Sequence, residues 1–244
     1  MPVTGKVAIN RRIYLNGIDF TGTSTSQTLS IGFEAADATV MGDTTKVSVP
    51  GLMTAEVSLA GYVTEGATGS DATLKTLSGT AVYCTLGTDT NASGETAYII
   101  KGNGFSYNMP QALGEIPTYE FEVLPDQVEG VVRGTVLLDA TSNLTASGVG
   151  TGRQLGAVAA GESIYAMLQI LSAGGTTFNA VIQSDDNAGF SSALPRASFS
   201  EVTTGAGSQY ILPVAGPFTD DWWRVSYTIV GSGPYKVHIV MGID

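Results

Sequence analysis

The sequence offers few residues with the chemistry that catalysis requires. His238 is its one histidine and Cys84 its one cysteine. His238 lies in an apolar stretch that predicts a strand, and no Gly-x-Ser-x-Gly motif supplies a nucleophilic serine to act with it. Cys84 has no basic neighbour in its segment that would activate the thiol. We therefore expect structural roles for both residues, and no zinc site, cofactor or enzymatic activity.

Two pairs of adjacent carboxylates are the remaining candidates for a metal site. Asp185-Asp186 and Asp220-Asp221 could each supply the oxygen ligands that Ca²⁺ prefers. Each pair also lies in a segment rich in turn residues, where an Asp side chain accepts hydrogen bonds from its own backbone. Turn formation is therefore the favoured interpretation. A glycosidase pair among the scattered acids stays open, although no spacing indicates one.

An aromatic group near the C-terminus could stack on a sugar ring. It consists of Trp222, Trp223 and Tyr227. Neighbouring residues of a strand face opposite ways, so only one of the two tryptophans can line a given surface. A role in a core and an interface is favoured over sugar binding.

Alternation of apolar and polar residues predicts a mainly β chain. In the segment 118–124, Glu120 and Glu122 share the polar face, and in 55–63 Glu56 lies opposite an apolar face. The apolar run 162–171 could form a helix, but its glycine-rich flanks and β neighbours favour a strand. The other predicted strands are 7–14, 28–33, 46–49, 81–86, 97–101, 105–109, 131–138, 178–183, 196–201, 209–214, 222–230 and 235–240.

One short helix is predicted at 72–77. Ser70 or Asp71 is expected to cap its first backbone N–H groups, and Gly79 to end it. Leu74 and Leu77 share one face. Because two turns of helix are not stable alone, this helix must pack against a sheet.

Length and charge indicate two acidic β domains. The 244 residues are 43% hydrophobic and carry a net charge of -11. We place one domain at 1–130, a connecting strand and linker at 131–147, and a β-sandwich at 148–244. Residues up to Asp126 include 13 acidic and 6 basic side chains, and the remainder 9 and 5. Such acidity disfavours tight binding to nucleic acid, although it also simply aids solubility.

The chain contains no apolar run long enough for a membrane span. Its first residues also lack a basic-then-apolar signal segment. We therefore expect synthesis in the cytoplasm without export and no membrane partner.

An ordered set of short motifs in the first half resembles the major tail protein family of siphophages. The motifs are Leu15-Asn-Gly-Ile-Asp-Phe20, Gly42-Asp-Thr-Thr, Lys46-Val-Ser-Val-Pro-Gly-Leu52, Val57-Ser-Leu-Ala-Gly-Tyr62 and Asp71-Ala-Thr-Leu, followed by the alternating strand. The second half resembles the C-terminal β-sandwich that decorates the outside of some phage tail and virion proteins.

The resemblance implies a tail-tube-like β-barrel or sandwich flanked by one short helix. Six copies would form a ring, and stacked rings would form the tube that conducts DNA during ejection. Inter-subunit strand pairing would close the inner sheet. The implied partners are further copies, the tape measure, tail terminator and distal tail proteins, and DNA in transient passage. The protein would be assembled in the host cytoplasm and located in the virion.

The same resemblance implies roles for particular side chains. Glu56, Glu120 and Glu122 are candidates to face the lumen. The loop from Glu34 to Lys46, with Asp37 and Asp43, is a candidate for contact between rings.

The alternative function is a glycan-binding β-sandwich adhesin of the virion. This protein would use Trp222 or Trp223 together with Tyr227.

Overall fold

The computed structural model describes residues 11–42, 44–126, 130–203 and 205–244. It is mainly β, which confirms the predicted fold class. The elements are β1 Ile13–Leu15, β2 Ile18–Asp19, β3 Ser24–Asp37, β4 Ser48–Tyr62, α1 Ser70–Leu77, β5 Ala81–Gly87, β6 Thr96–Asn108, β7 Thr118–Pro125, β8 Val131–Leu138, β9 Gly148–Val149, β10 Arg153–Gln154, β11 Ser163–Ala173, β12 Thr177–Asp185, β13 Leu194–Ser198, β14 Gly207–Ala215, β15 Trp222–Val230 and β16 Tyr235–Ile243. Within the described ranges, no helix has the length and hydropathy that crossing a bilayer requires.

The chain forms two compact units from interleaved stretches. The first unit comprises the described residues of Met1–Gly22, Tyr83–Ile100 and Val132–Asp244, and the second those of Thr23–Val82 and Lys101–Val131. This division differs from the single boundary near residue 130 that the sequence analysis places. The difference arises because β5 and β6 each carry the chain from one unit into the other.

The first unit contains a β-sandwich. Strands β14, β11, β16 and β8 are neighbours in one sheet, and β10, β15, β12 and β13 form a second sheet to which β9 is added. Leu168, Ile182, Trp223 and Ile239 are among the buried side chains that form one core from both sheets. Two sheets that share a core in this way form the sandwich expected for the C-terminal region.

Strand β11 explains why the run 162–171 is largely apolar and lacks alternation. Ala166 and Leu168 belong to the sandwich core. Tyr165 and Met167 lie in a second buried cluster of the same unit, together with Val240. A strand that is buried on both faces loses the usual alternation, so the favoured assignment as a strand is confirmed.

The second unit is built on an antiparallel sheet with the strand order β3-β4-β7-β6. One face of this sheet is apolar, and Val57, Leu59, Phe121 and Val123 on it are buried. The end of α1 approaches this face. A Cβ atom at Gly104 of β6 would lie 2.8 Å from the ring of Phe121 and would also collide with the carbonyl oxygen of the last helical residue.

Two strands of this sheet are longer than the sequence predicts. Segments 46–49 and 55–63 were expected to be separate, but β4 runs through Pro50, which pairs with Ala35 next to an irregularity in the register. Segments 97–101 and 105–109 are likewise joined in β6, where the register shifts between Gly104 and Ser106. Such bulges accommodate a residue that does not fit the ladder, and they interrupt the alternation.

The predicted cap of the helix is wrong. The N-cap residue is Gly69, which has no side chain, and the backbone N–H of Ser70 donates to Thr64 Oγ1 at 2.8 Å. Ser70 Oγ instead accepts a hydrogen bond from Thr64 N at 2.8 Å. The Asp71 carboxylate accepts one from Tyr107 Oη at 2.6 Å. The two side chains therefore tie the helix to neighbouring segments. Gly79 follows the helix with a φ of 78°, as expected of a terminating glycine.

Substitution of the buried helix residue Leu74 tests this packing. Leu74→Ala should lower the free energy of unfolding by about 2–5 kcal/mol, because it leaves a cavity under the helix. The neighbouring Lys75→Ala is the control, since Lys75 is exposed and should change stability by less than about 0.5 kcal/mol. Urea unfolding followed by circular dichroism measures both, and equal midpoints would contradict the packing.

Candidate functional site: the acidic face of the second unit

The sheet of the second unit brings the three glutamates that the sequence singled out onto one face. Glu122 pairs with Ser58 of β4 and with Ser106 of β6. Glu120 lies two residues away on β7 and Glu56 two residues from Ser58 on β4, so all three point away from the buried face. We call this surface the acidic face.

The acidic face forms a shallow hollow of about 340 Å³. Its lining residues are Ser26, Thr28, Glu56, Ser58, Leu59, Ala60, Ser106, Asn108, Glu120, Phe121 and Glu122. Ser58 Oγ donates to Glu56 Oε1 at 2.6 Å, and Ser106 Oγ donates to Glu122 Oε2 at 3.0 Å. These hydrogen bonds hold two of the carboxylates in place.

The side chains that line this hollow give it a negative charge. The described residues that line it include no lysine or arginine. Carboxylates without counter-charges create a negative potential that repels phosphate groups. No group of three or more His, Cys, Asp or Glu side chains in the described part of the chain is arranged to hold a metal ion.

Strands β3 and β4 extend beyond the rest of the sheet as a two-stranded ribbon. Strand β7 pairs with β4 only from Val57 to Tyr62, whereas β3 and β4 pair as far as Asp37 and Ser48. We call residues 30–55 the arm. Among the described strands, the arm has no third neighbour. An isolated two-stranded hairpin is marginally stable in water, so the arm needs further contacts.

One face of the arm is apolar and exposed. Phe33 pairs with Met53 and lies on the side of β3 that carries Ile31, and this side continues the buried face of the sheet. The exposed fractions of Ile31, Phe33 and Met53 are 49%, 63% and 36%. We call these three residues the apolar stripe. Contiguous exposed apolar side chains mark interaction surfaces.

The candidates for contact between rings lie on the arm, but not in a single loop. Glu34 and Asp37 are strand residues of β3, so the loop begins after Asp37 instead of at Glu34. Lys46 Nζ lies 3.7 Å from Asp37 Oδ2 across this connection. Hydrogen bonds from the Thr39 side chain and backbone hold the pKa of Asp37 below its usual range. Asp43 lies outside the described residues, and the contact role of this group stays a prediction.

The two tryptophans lie on opposite sides of β15, as strand alternation predicts. Trp223 is fully buried, and its Nε1 donates to the carbonyl oxygen of Gly156 at 2.8 Å. Tyr227 lies on the same side of β15 and stacks on Phe178, with 6.1 Å between ring centroids. Trp222 points to the opposite side and is partly exposed. Strand alternation therefore assigns one tryptophan to the core and the other to the surface.

His238 and Cys84 are buried in the first unit. The His238 ring lies 4.9 Å from the Tyr14 ring between centroids, and neither of its nitrogens has a hydrogen-bond partner among the described residues. Burial lowers the pKa of His238 to about 3 and raises the pKa of the Cys84 thiol. Both residues therefore contribute to packing, as the sequence analysis expects.

The two carboxylate pairs have different environments. Asp185 accepts hydrogen bonds from the backbone N–H groups of Asn187 at 3.1 Å and Ser192 at 2.7 Å, which confirms the turn interpretation. Asp220 is not a turn residue of this kind. It accepts from Ser184 Oγ at 2.6 Å and pairs with Arg196 at 2.7 Å. The hydrogen bond from Ser184 and the Arg196 guanidinium lower the pKa of Asp220.

Comparison with known proteins adds two distant similarities. No protein-family model and no curated protein matches the chain. A solved structure entitled as the virion of a native gene transfer agent particle matches with a TM-score of 0.41 and 14% identity, covering 50% of this chain and 95% of that chain. The Dit protein (gp 19.1) of SPP1, described as a paradigm of the hub adsorption apparatus in phages infecting Gram-positive bacteria, matches with a TM-score of 0.37 and 13% identity, covering 98% and 100%. Both TM-scores are too low to establish a shared function.

The burial of His238 predicts a pH-dependent stability. Because its pKa is about 3 in the folded protein and about 6.5 when unfolded, the unfolded state binds more protons between these values. Protonation of His238 therefore does not affect the free energy of unfolding above pH 6.5. As the pH falls below this value, protonation of His238 in the unfolded state lowers the free energy of unfolding by up to about 1.4 kcal/mol per pH unit. His238→Leu should remove this dependence, so that urea-unfolding stability between pH 7 and pH 5 falls less steeply than in the wild type.

Met241→Leu is the control for this experiment. Met241 is buried in the same strand and does not titrate, so this variant should keep the wild-type slope. Parallel stability curves for His238→Leu and the wild type would contradict the prediction.

Proposed function

We propose that this protein is a structural subunit of a virion, and that its copies form hexameric rings that stack into a phage tail tube for DNA ejection. The apolar stripe of the arm is the observation that carries the proposal, because it needs a covering partner. The order of motifs in the first half supports a tail tube as the assembly. The acidic face supports a role as a conduit for DNA. The further partners would be the tape measure, tail terminator and distal tail proteins.

A second copy of the chain is the partner that best fits the arm. The apolar stripe lies on the same side of the sheet as the buried residues Val57 and Leu59. An apolar surface of this kind on a second copy could cover it. Strand β3 lies at the edge of the sheet with β4 as its strand neighbour. An edge strand can add a strand of a neighbouring subunit by backbone hydrogen bonding. A ring or tube covers both features in every subunit at once.

The acidic face would line the lumen of such a tube. Glu56, Glu120 and Glu122 would present a surface that repels the phosphates of passing DNA. A conduit benefits from this sign of charge because DNA that adheres to the wall cannot slide. The net charge of -11 extends the same effect over the chain.

Substitutions in the arm test self-assembly. Phe33→Asp should abolish tubes and rings of the purified full-length chain, because a charge in the apolar stripe cannot be covered by an apolar partner. The fold should survive, since Phe33 is 63% exposed. Negative-stain microscopy and light scattering measure assembly, and circular dichroism measures the fold.

Leu212→Asp is the matched control for the arm variant. Leu212 is also a largely exposed apolar residue, but it lies on β14 of the first unit. This variant should assemble like the wild type. A wild-type protein that stays monomeric when concentrated, or a Phe33→Asp variant that forms normal tubes, would contradict the proposal.

Charge reversal on the acidic face tests the conduit. The triple variant Glu56→Lys, Glu120→Lys, Glu122→Lys should still assemble, because these side chains do not belong to the apolar stripe. Its tubes should retain duplex DNA at low salt, whereas wild-type tubes should not, and added salt should release the DNA. Sedimentation of tubes with labelled DNA measures the difference.

The control is a triple variant in which three exposed glutamates outside the acidic face are replaced by lysine. Glu65→Lys, Glu115→Lys, Glu201→Lys changes the net charge equally, at exposed positions outside the hollow. Equal retention of DNA by both triple variants would indicate a general charge effect and would count against a lumen-facing position of the acidic face.

A further inference from the structure

The outer face of the five-stranded sheet carries an indole beside a guanidinium and an amide group. Its inner face fills the sandwich core through Trp223 and Val225 of β15. The alternate residues Trp222 and Arg224 therefore project from the outer face, and both are partly exposed. Gln183 of β12 pairs with Arg224 in the ladder and joins them on this face.

The polar groups on this face are held in fixed positions. Arg224 Nε donates to Gln183 Oε1 at 2.9 Å. The Arg224 guanidinium also lies 4.3 Å from the centroid of the Phe190 ring, which packs beneath it. Arg224 has no other hydrogen bond to a described side chain. Its remaining N–H donors are thus held in position by two neighbours and can donate further hydrogen bonds.

A partly exposed indole stands beside these donors. Trp222 pairs with Gln154 of β10 on one side and with Asp185 of β12 on the other. Gln154 is exposed, and its Nε2 donates to Asp221 Oδ2 at 2.6 Å. The Trp222 indole is therefore flanked by the Gln154 amide on the adjacent strand β10 and by the Arg224 guanidinium two residues further along β15.

We propose that this outer face binds a neutral saccharide. The indole of Trp222 stacks on the apolar face of a sugar ring, and Arg224 and Gln183 hydrogen-bond to its hydroxyl groups. A saccharide matches this face because the indole of Trp222, the Gln183 amide and the Arg224 guanidinium lie on adjoining outer positions of β15 and β12. The site is independent of the assembly proposed above.

Titration with neutral disaccharides tests the site. Maltose, lactose and chitobiose are each added to the full-length protein, and saturation-transfer difference NMR gives the affinity. At least one should bind, and Trp222→Ala should weaken it about tenfold, since loss of an aromatic contact of about 1.4 kcal/mol has this effect. Trp222→Phe should recover part of the loss because it keeps a ring. Arg224→Lys should also weaken binding, because a lysine lacks the planar donors.

Tyr62→Ala is the matched control, since Tyr62 is an exposed aromatic residue of the second unit. It should leave the affinity unchanged. Circular dichroism spectra identical to the wild type confirm that each variant is folded. The proposal is overturned if none of the three disaccharides binds, or if binding is the same in Trp222→Ala as in the wild type.

Discussion

The apolar face of each β-strand has to be covered, because its contact with water costs roughly 25 cal/mol per Å². In the body of the second unit this requirement is met within the chain, where Leu74 of α1 and the strand residues Leu59 and Phe121 are buried. The same apolar face continues along β3 and β4 into the arm, past the last residue that β7 reaches. There Phe33 remains exposed. Among the described residues, the fold itself thus leaves part of this apolar face uncovered.

The sequence predicts the acidic face well because strand alternation is a local property. Alternation in two segments is enough to put Glu56 on the polar side of one strand and Glu120 and Glu122 on the polar side of another. That these sides coincide depends on the register between β4 and β7. The register joins β4 to β7, and the hydrogen bond from Ser106 joins β6 to β7. Both depend on pairing between separate strands, which no local sequence pattern predicts.

Other features escaped prediction because they depend on what surrounds a residue. Ile31 and Phe33 alternate with polar residues as core residues do, yet they lie where no third strand reaches. Ser70 and Asp71 have the right types and position for helix caps, but their side chains bind other segments of the unit. At Phe105 a register shift exposes an aromatic residue that alternation would not distinguish from a buried one. Local sequence determines which residues share a face, and tertiary contacts determine whether that face is buried.

The position of β16 affects when the protein can fold during synthesis. This strand pairs with β11 on one side and with β8 on the other, so it lies inside its sheet although it follows the other described strands in the chain. The sheet stays incomplete until residues as far as Ile243 have left the ribosome. The arm is synthesised much earlier. Folding of the first unit therefore waits for β16, and each nascent chain carries the arm before its own sandwich is complete.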